Sequence, residues 1–276
     1  MAISPADLQK MYWEEDKSQY DIANELGVTQ WKVAQLMRAY NIPRKPKFRK
    51  LPHRLCEVDH HALDDLTPKA AWVVGWLLSD GFVYPQAGCF GLKLSSVDID
   101  VLEDIRCFFG YTGPILRYSS YLERTGNSYE TRELKISSPL LLQTLSTFEL
   151  TGKKTEREVF PQKILDTEDE QIIRNFIKGV FEGDGSIMCD GKSSVCFQIV
   201  GTKELLTDIQ ECLMRYVGVG RTKLTHNTKV SNHYALRYRG RFQAMGIFNW
   251  IYKGSRWHLK RKYEAYLEIK RKLEEL

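Results

Sequence analysis

Two Asp-Gly steps, Asp80-Gly81 and Asp184-Gly185, each close an apolar run: Val73-Val74-Gly75-Trp76-Leu77-Leu78-Ser79 and Ile177-Lys178-Gly179-Val180-Phe181-Glu182-Gly183. Ala71, Gly75 and Ser79 recur every four residues in the first segment, as do Asn175, Gly179 and Gly183 in the second. That spacing sets each trio on one helix face. Two faces so poor in side chain can pack with their backbones in near contact, and Asp80 and Asp184 then meet at one end of the pair. Carboxylates brought together repel unless a positive charge lies between them. A hard divalent cation that takes oxygen ligands and keeps several waters answers that need, and Mg²⁺ fits the description. Such a cation activates water and stabilises charge at a phosphoryl centre, which is phosphodiester-hydrolysis chemistry. One Asp-Gly alone would say little, because it is also the commonest hairpin-turn pair. Two copies, each behind a helix with a small-residue face and ahead of a strand pair, say more.

The elements that must position these carboxylates form an imperfect internal duplication from about Leu66 onward. Apolar helices are predicted over Ala70–Asp80 and Arg174–Asp184. Each leads into two short strand-like runs, Phe82–Tyr84 with Phe90–Leu94, and Ile187–Cys189 with Val195–Val200. Amphipathic helices follow at Ile99–Phe109 and Glu204–Tyr216, then second strand pairs, Ile115–Tyr121 with Tyr129–Ser137 and Arg221–Thr225 with His233–Arg239. Helices over Leu140–Phe148 and Arg241–Tyr252 close the two copies. The repeating unit is αββαββα, offset by 104 residues between the Asp-Gly steps (80 to 184). The fold class this implies is α+β, two pseudo-symmetric half-domains over 67–165 and 166–276.

The two runs resemble the motif of the LAGLIDADG family, and the resemblance extends over roughly Leu66 to Tyr266. It implies that each half offers a four-stranded sheet as one side of a saddle over duplex DNA. It further implies a two-motif homing endonuclease, a monomer cutting both strands of a long asymmetric site across the minor groove with short 3′ overhangs. Asp80 and Asp184 are then the metal-holding catalytic pair, with Mn²⁺ expected to replace Mg²⁺ and Ca²⁺ to support binding without cleavage. Family proteins also place a lysine after the second strand pair of each half, which points to Lys154 in the first half, closely rivalled by Lys153, and to Lys253 in the second. A water-positioning glutamine on the second strand is matched by Gln198, and Lys93 is read as its counterpart. The active halves are thereby expected to be chemically unequal, and the two strands to be cut at unequal rates.

Ahead of the duplication, residues 1–45 read as a small all-α domain of three helices, near Pro5–Glu14, Tyr20–Leu26 and from the Thr29 N-cap to Tyr40. Small Ala23, Gly27 at a turn, and apolar Ile22, Val28 and Val33 resemble the helix-turn-helix family, because two helices cross closely only over a small contact residue. That resemblance implies that Gln30, Trp31, Lys32 and Gln35 face the DNA major groove. A basic tail, Arg44–Arg54, follows immediately, kept extended by Pro43, Pro46 and Pro52, and a basic linker is expected over 46–66.

Charge distribution points the same way. Asn41–Arg54 holds six basic residues and no acid, Arg44, Lys45 and Lys47 among them, and Cys212–Tyr263 holds twelve Lys or Arg and again no acid. Since the whole chain carries only +5, the remainder is net negative. Basic stretches interleaved with Tyr216, Tyr234, Tyr238 and Trp257 suit a surface laid against phosphates. Arg221, Lys223, Arg237 and Arg239 are the expected contacts, the last two alternating onto one face of a strand.

Six scattered cysteines without a C-x-x-C pair speak against a zinc site or a disulfide framework, and for buried free thiols in a reducing, intracellular compartment. The chain lacks the ~18-residue apolar run of a membrane span and a signal-peptide core. No membrane or obligatory protein partner is expected. Inteins carry the same nuclease fold, but no splicing domain or terminal splicing residues are seen, so a free-standing or intron-encoded protein is expected. The competing readings are a DNA-binding regulator that has lost catalysis, which retention of both aspartates disfavours, and an RNA maturase assisting intron splicing.

Overall fold

The computed structural model describes residues 3–15, 17–43, 56–122, 127–152, 157–189, 195–226 and 230–275. They form two compact units, one up to Leu55 and one from Cys56 onward.

The first unit is built from α1 (Pro5–Gln9), which continues as one π-helical turn over Lys10–Glu14, α2 (Gln19–Leu26) and α3 (Gln30–Ala39). Ser4, Ser18 and Thr29 cap the three helices, and Ser18 forms a reciprocal capping box with Asp21. Gly27 ends α2 with φ +64°, a left-handed turn that glycine adopts without strain. Leu8, Tyr12, Ile22, Ala23, Val33 and Met37 make its core.

The second unit holds both copies of the predicted repeat. The first runs α4 (Pro68–Ser79), β1 (Gly81–Tyr84), β2 (Cys89–Ser95), α5 (Ile99–Phe108), β3 (Leu116–Leu122), β4 (Asn127–Ser137) and α6 (Pro139–Ser146). A short α7 (Gln162–Leu165) leads to the second: α8 (Glu170–Asp184), β5 (Gly185–Cys189), β6 (Val195–Gly201), α9 (Lys203–Val217), β7 (Thr225–His226), β8 (Tyr234–Arg239) and α10 (Gln243–Ile251), with α11 (Lys260–Glu274) closing the chain. Each copy forms one antiparallel four-stranded sheet, ordered β1-β2-β4-β3 and β5-β6-β8-β7. Strand side chains alternate. Phe90, Leu92, Leu134 and Ile136 in one sheet, and Phe197, Ile199, Leu236 and Tyr238 in the other, are buried in the core they share with the helices. Lys93, Lys135, Arg237 and Arg239 are exposed. The α+β fold of two αββαββα halves behind a small all-α unit is thus the one the sequence implies.

Three differences have physical causes. Residues 56–66 belong to the second unit rather than to a linker: Asp59 N–H donates to Phe109 O (2.8 Å), Thr112 N–H to Glu57 O (3.1 Å), and Leu63 is fully buried. Strand β7 covers only Thr225 and His226, so Arg221 and Lys223 are not strand residues. The buried Gln210 amide of α9 donates to Thr222 O (2.9 Å), and Arg221 is paired with Glu211; both draw that segment off the sheet edge. The six cysteines are free, but Cys107 and Cys189 are exposed rather than buried.

Candidate active site and nucleic-acid face

The site is made by α4 and α8. Thr67 caps α4 through Ala70 N–H, with Pro68 in the first turn, and Asp169 caps α8 through the N–H groups of Gln171 and Ile172. The helices touch backbone to backbone. A Cβ on Gly75 would overlap Phe176 O and lie 2.9 Å from Val180 N, while one on Gly179 would overlap Trp72 O and lie 3.0 Å from Trp76 N. At the end of the seam Ser79 donates its hydroxyl back to Gly75 O (3.1 Å) or Trp76 O (3.2 Å). A Cβ on Gly183 would collide with that Ser79 hydroxyl and fall 3.2 Å from Asp80 Oδ2. Asp80 therefore sits against the residue that precedes Asp184, and the small-residue faces set the two aspartates at the same end of the paired helices.

The cation at this end is one that spacing alone had not singled out. Lys262 of α11 is buried, and its ammonium donates to Phe181 O (2.8 Å), Glu182 O (2.7 Å), Gly183 O (3.4 Å) and Gly185 O. It closes the carbonyls left open at the C-terminal end of α8, where a positive charge also suits the helix dipole. Burial, then Arg261, pull its pKa down to about 8, while Glu182, Asp80 and Asp184 act to raise it. Lys253, by contrast, stands exposed just past α10, its backbone N–H on Trp250 O (3.2 Å). Lys153 and Lys154 lie outside the described residues, as do Arg44, Lys45 and Lys47.

Behind the carboxylates lies a buried polar seam. Glu182 is fully buried and accepts from the indoles of Trp72 (2.8 Å) and Trp76 (3.3 Å) across the helix pair. One turn earlier Lys178, 1% exposed, donates to Ser255 Oγ (2.9 Å) and Trp257 O (3.0 Å). Burial raises the Glu182 pKa and lowers that of Lys178, each partly countered by the other's charge. Charges in such a place cost solvation free energy that only close partners offset. The signal for Lys262 was present in the sequence: Lys262, Tyr266, Ile269 and Leu273 share the inward stripe of α11, an odd place for a lysine without acceptors.

On the sheet faces, Arg237 Nε donates to Gln198 Oε1 across paired strands. Gly81 pairs with Leu92 and Gly185 with Ile199, so the position that matches Gln198 is Gly91 rather than Lys93. Lys93 lies one pleat further along that face, opposite Glu133, with its ammonium 4.7 Å from the Tyr118 ring centre. A side chain at position 91 would overlap Leu134 O, and Gly91 is buried beside the Phe82 ring, so the first sheet offers no polar side chain there. Arg221, Lys223, Arg237 and Arg239 line one hollow at the edge of β8. In the first unit Gln30, Trp31, Lys32 and Gln35 are exposed on α3, and Trp31 is 68% exposed.

No family model matches the chain. Among curated proteins it is similar to the DNA-directed RNA polymerase subunit Rpo1C of Methanocaldococcus jannaschii, 28% identical over 177 residues. That match covers 62% of this chain and 18% of the subunit, so the chain spans under a fifth of the relative's length. Among solved structures it is similar to the LAGLIDADG homing endonuclease I-SmaMI bound to cleaved DNA, 16% identical, covering 75% of this chain and 88% of that one, TM-score 0.46. It is also similar to full-length DUF199/WhiA from Thermatoga maritima, 10% identical, covering 78% and 64%, TM-score 0.47. Likeness at this level carries no conclusion about chemistry, which rests on the geometry of the chain itself. Among the described residues no helix is long and apolar enough to cross a membrane, and no group of three or more His, Cys, Asp or Glu side chains converges as a metal site.

Proposed function

We propose that this chain is a monomeric, Mg²⁺-dependent endonuclease that cuts both strands of a specific duplex DNA site. The observation that carries the reading is the placement of Asp80 and Asp184 at the shared end of two helices in backbone contact, each at the head of an antiparallel sheet.

The donor set suits the ion: two hard carboxylates at one end of the helix pair, where glycine at 183 lets Ser79 and Asp80 approach closely. Asp80 and Asp184 would hold Mg²⁺, which when bound lowers the pKa of water and stabilises charge on the phosphodiester. The remaining work falls to the chain's own side chains. Gln198, steadied by Arg237, presents its amide to a water on the second half, where Gly91 offers the first half no such group. Lys262 adds fixed positive potential next to the carboxylates, worth most in a site from which water is excluded. Arg237, Arg239, Arg221 and Lys223 take phosphates and base edges, and Gln30, Trp31, Lys32 and Gln35 read a major groove.

The test is cleavage of a plasmid bearing sites selected from a random duplex library with Mg²⁺ present. Asp80→Asn and Asp184→Asn are expected to abolish linearisation while binding in Ca²⁺ stays within about threefold of wild type. Wild type should pass through a nicked circle, one strand ahead of the other. Full cleavage by either variant would overturn the reading.

A further inference from the structure

Phe242 is 90% exposed, more than any other large apolar side chain among the described residues. Its backbone is nevertheless held. Gly240 turns the chain out of β8 with φ +91° and donates to Val195 O (2.8 Å), and Phe242 O accepts from Gly246 N–H (2.9 Å). Next to it, the Arg241 guanidinium is tied to Leu273 O. A fixed bend therefore presents a bare aromatic ring to solvent, at the end of β8 far from Asp184: Arg239 pairs with Cys196, whereas Tyr234 pairs with Gly201.

Its surroundings are cationic. The adjoining Gln243 lines the hollow walled by Arg221, Lys223, Arg237 and Arg239, and among the described residues only Arg221 of these has an acidic partner, Glu211. The first half repeats the arrangement in weaker form, with Leu140, 53% exposed, where β4 turns into α6. An exposed ring one residue along the chain from a cationic hollow suits a partner that is anionic outside and flat and apolar within, which is a nucleic-acid duplex opened at a base step.

We propose that Phe242 is a wedge that enters the duplex at the outer end of the half-site held by the second sheet, partly unstacking one base step and selecting for steps that open easily. This rests on the reading that the chain binds duplex DNA. Pyrimidine–purine steps are the ones it would favour, because they are the most readily kinked.

The full chain in Ca²⁺ tests it, with its selected duplex carrying 2-aminopurine in turn at each position of both outer ends. Wild type is expected to raise fluorescence at one outer step. Phe242→Ala should abolish that rise and weaken binding about tenfold, leaving the slope of affinity against salt unchanged. Phe242→Trp should retain the rise. Arg239→Ala should keep the rise while lowering the slope by about one. Wild-type fluorescence and affinity in Phe242→Ala would overturn the wedge and leave duplex binding standing, whether the ring serves a protein partner or nothing at all. Failure of wild type to bind any duplex would instead overturn the underlying reading, and the wedge with it.

Discussion

At the scale of single residues, Lys262 is the cation built most tightly into the end of α8. Its ammonium is saturated by backbone carbonyls at the end of α8, so it acts as a fixed charge rather than as a reaching hand. Lys262→Met is expected to slow cleavage about a hundredfold, with duplex binding in Ca²⁺ preserved, whereas exposed Lys253→Met should change it less than about threefold. Equal losses would return the role to Lys253. Lys178 makes a different prediction, about stability. Its pKa falls from 10.5 unfolded to about 8 folded, burial being the main cause. Below pH 8 both states hold the proton; between about 8 and 10.5 the unfolded chain holds more, so this group's contribution grows as pH rises. The urea stability of wild type relative to Lys178→Met should therefore rise by about 1–2 kcal/mol from pH 8 to pH 10. A constant difference would show that the folded state keeps this lysine charged.

At the scale of elements, the α4–α8 seam is where sequence and structure agree best. Small residues at intervals of four on one helix face have few uses other than close approach, and Gly75 and Gly179 make it. Gly75→Ala would force a methyl into Phe176 O and push the helices apart, at a cost of about 1–3 kcal/mol. Because Asp80 and Asp184 sit at the end of the seam, cleavage should fall at least as steeply as the melting temperature. Retained activity with wild-type melting would mean that the seam tolerates separation. Strand pairing was less legible. Alternation assigns the face of a residue but not its register, so Lys93, on the right face, was matched to Gln198 one pleat away from its true counterpart Gly91. Likewise the pull of Gln210 on Thr222 O is a tertiary contact that no local pattern of Arg221–Thr225 announces. Buried Lys262 was hidden by its own neighbours, since Lys260-Arg261-Lys262 reads as one solvated basic run unless the stripe of α11 is followed through it.

At the scale of the whole molecule, charge and core are divided. Each unit has a hydrophobic core of its own, Leu8, Ile22 and Val33 in the first and a much larger one in the second. A chain beginning at Cys56 should accordingly unfold in one cooperative transition and still cut its duplex. Its affinity should be lower by at least about tenfold at moderate salt, through loss of α3 and the basic segment before Cys56. Affinity equal to that of the full chain would remove the first unit from the DNA-contacting surface.

The hydrogen bonds from Trp72 and Trp76 to Glu182 decide which halves can pair. The two halves repeat one plan, so each can be imagined paired with a copy of itself. Here that option has been closed. Leu78 occupies in α4 the place that Glu182 holds in α8, so a first half mated to its twin would confront indole N–H groups with leucine. A second half mated to its twin would bury two carboxylates with no indole N–H to donate to them. Each half is thereby a lock cut for the other.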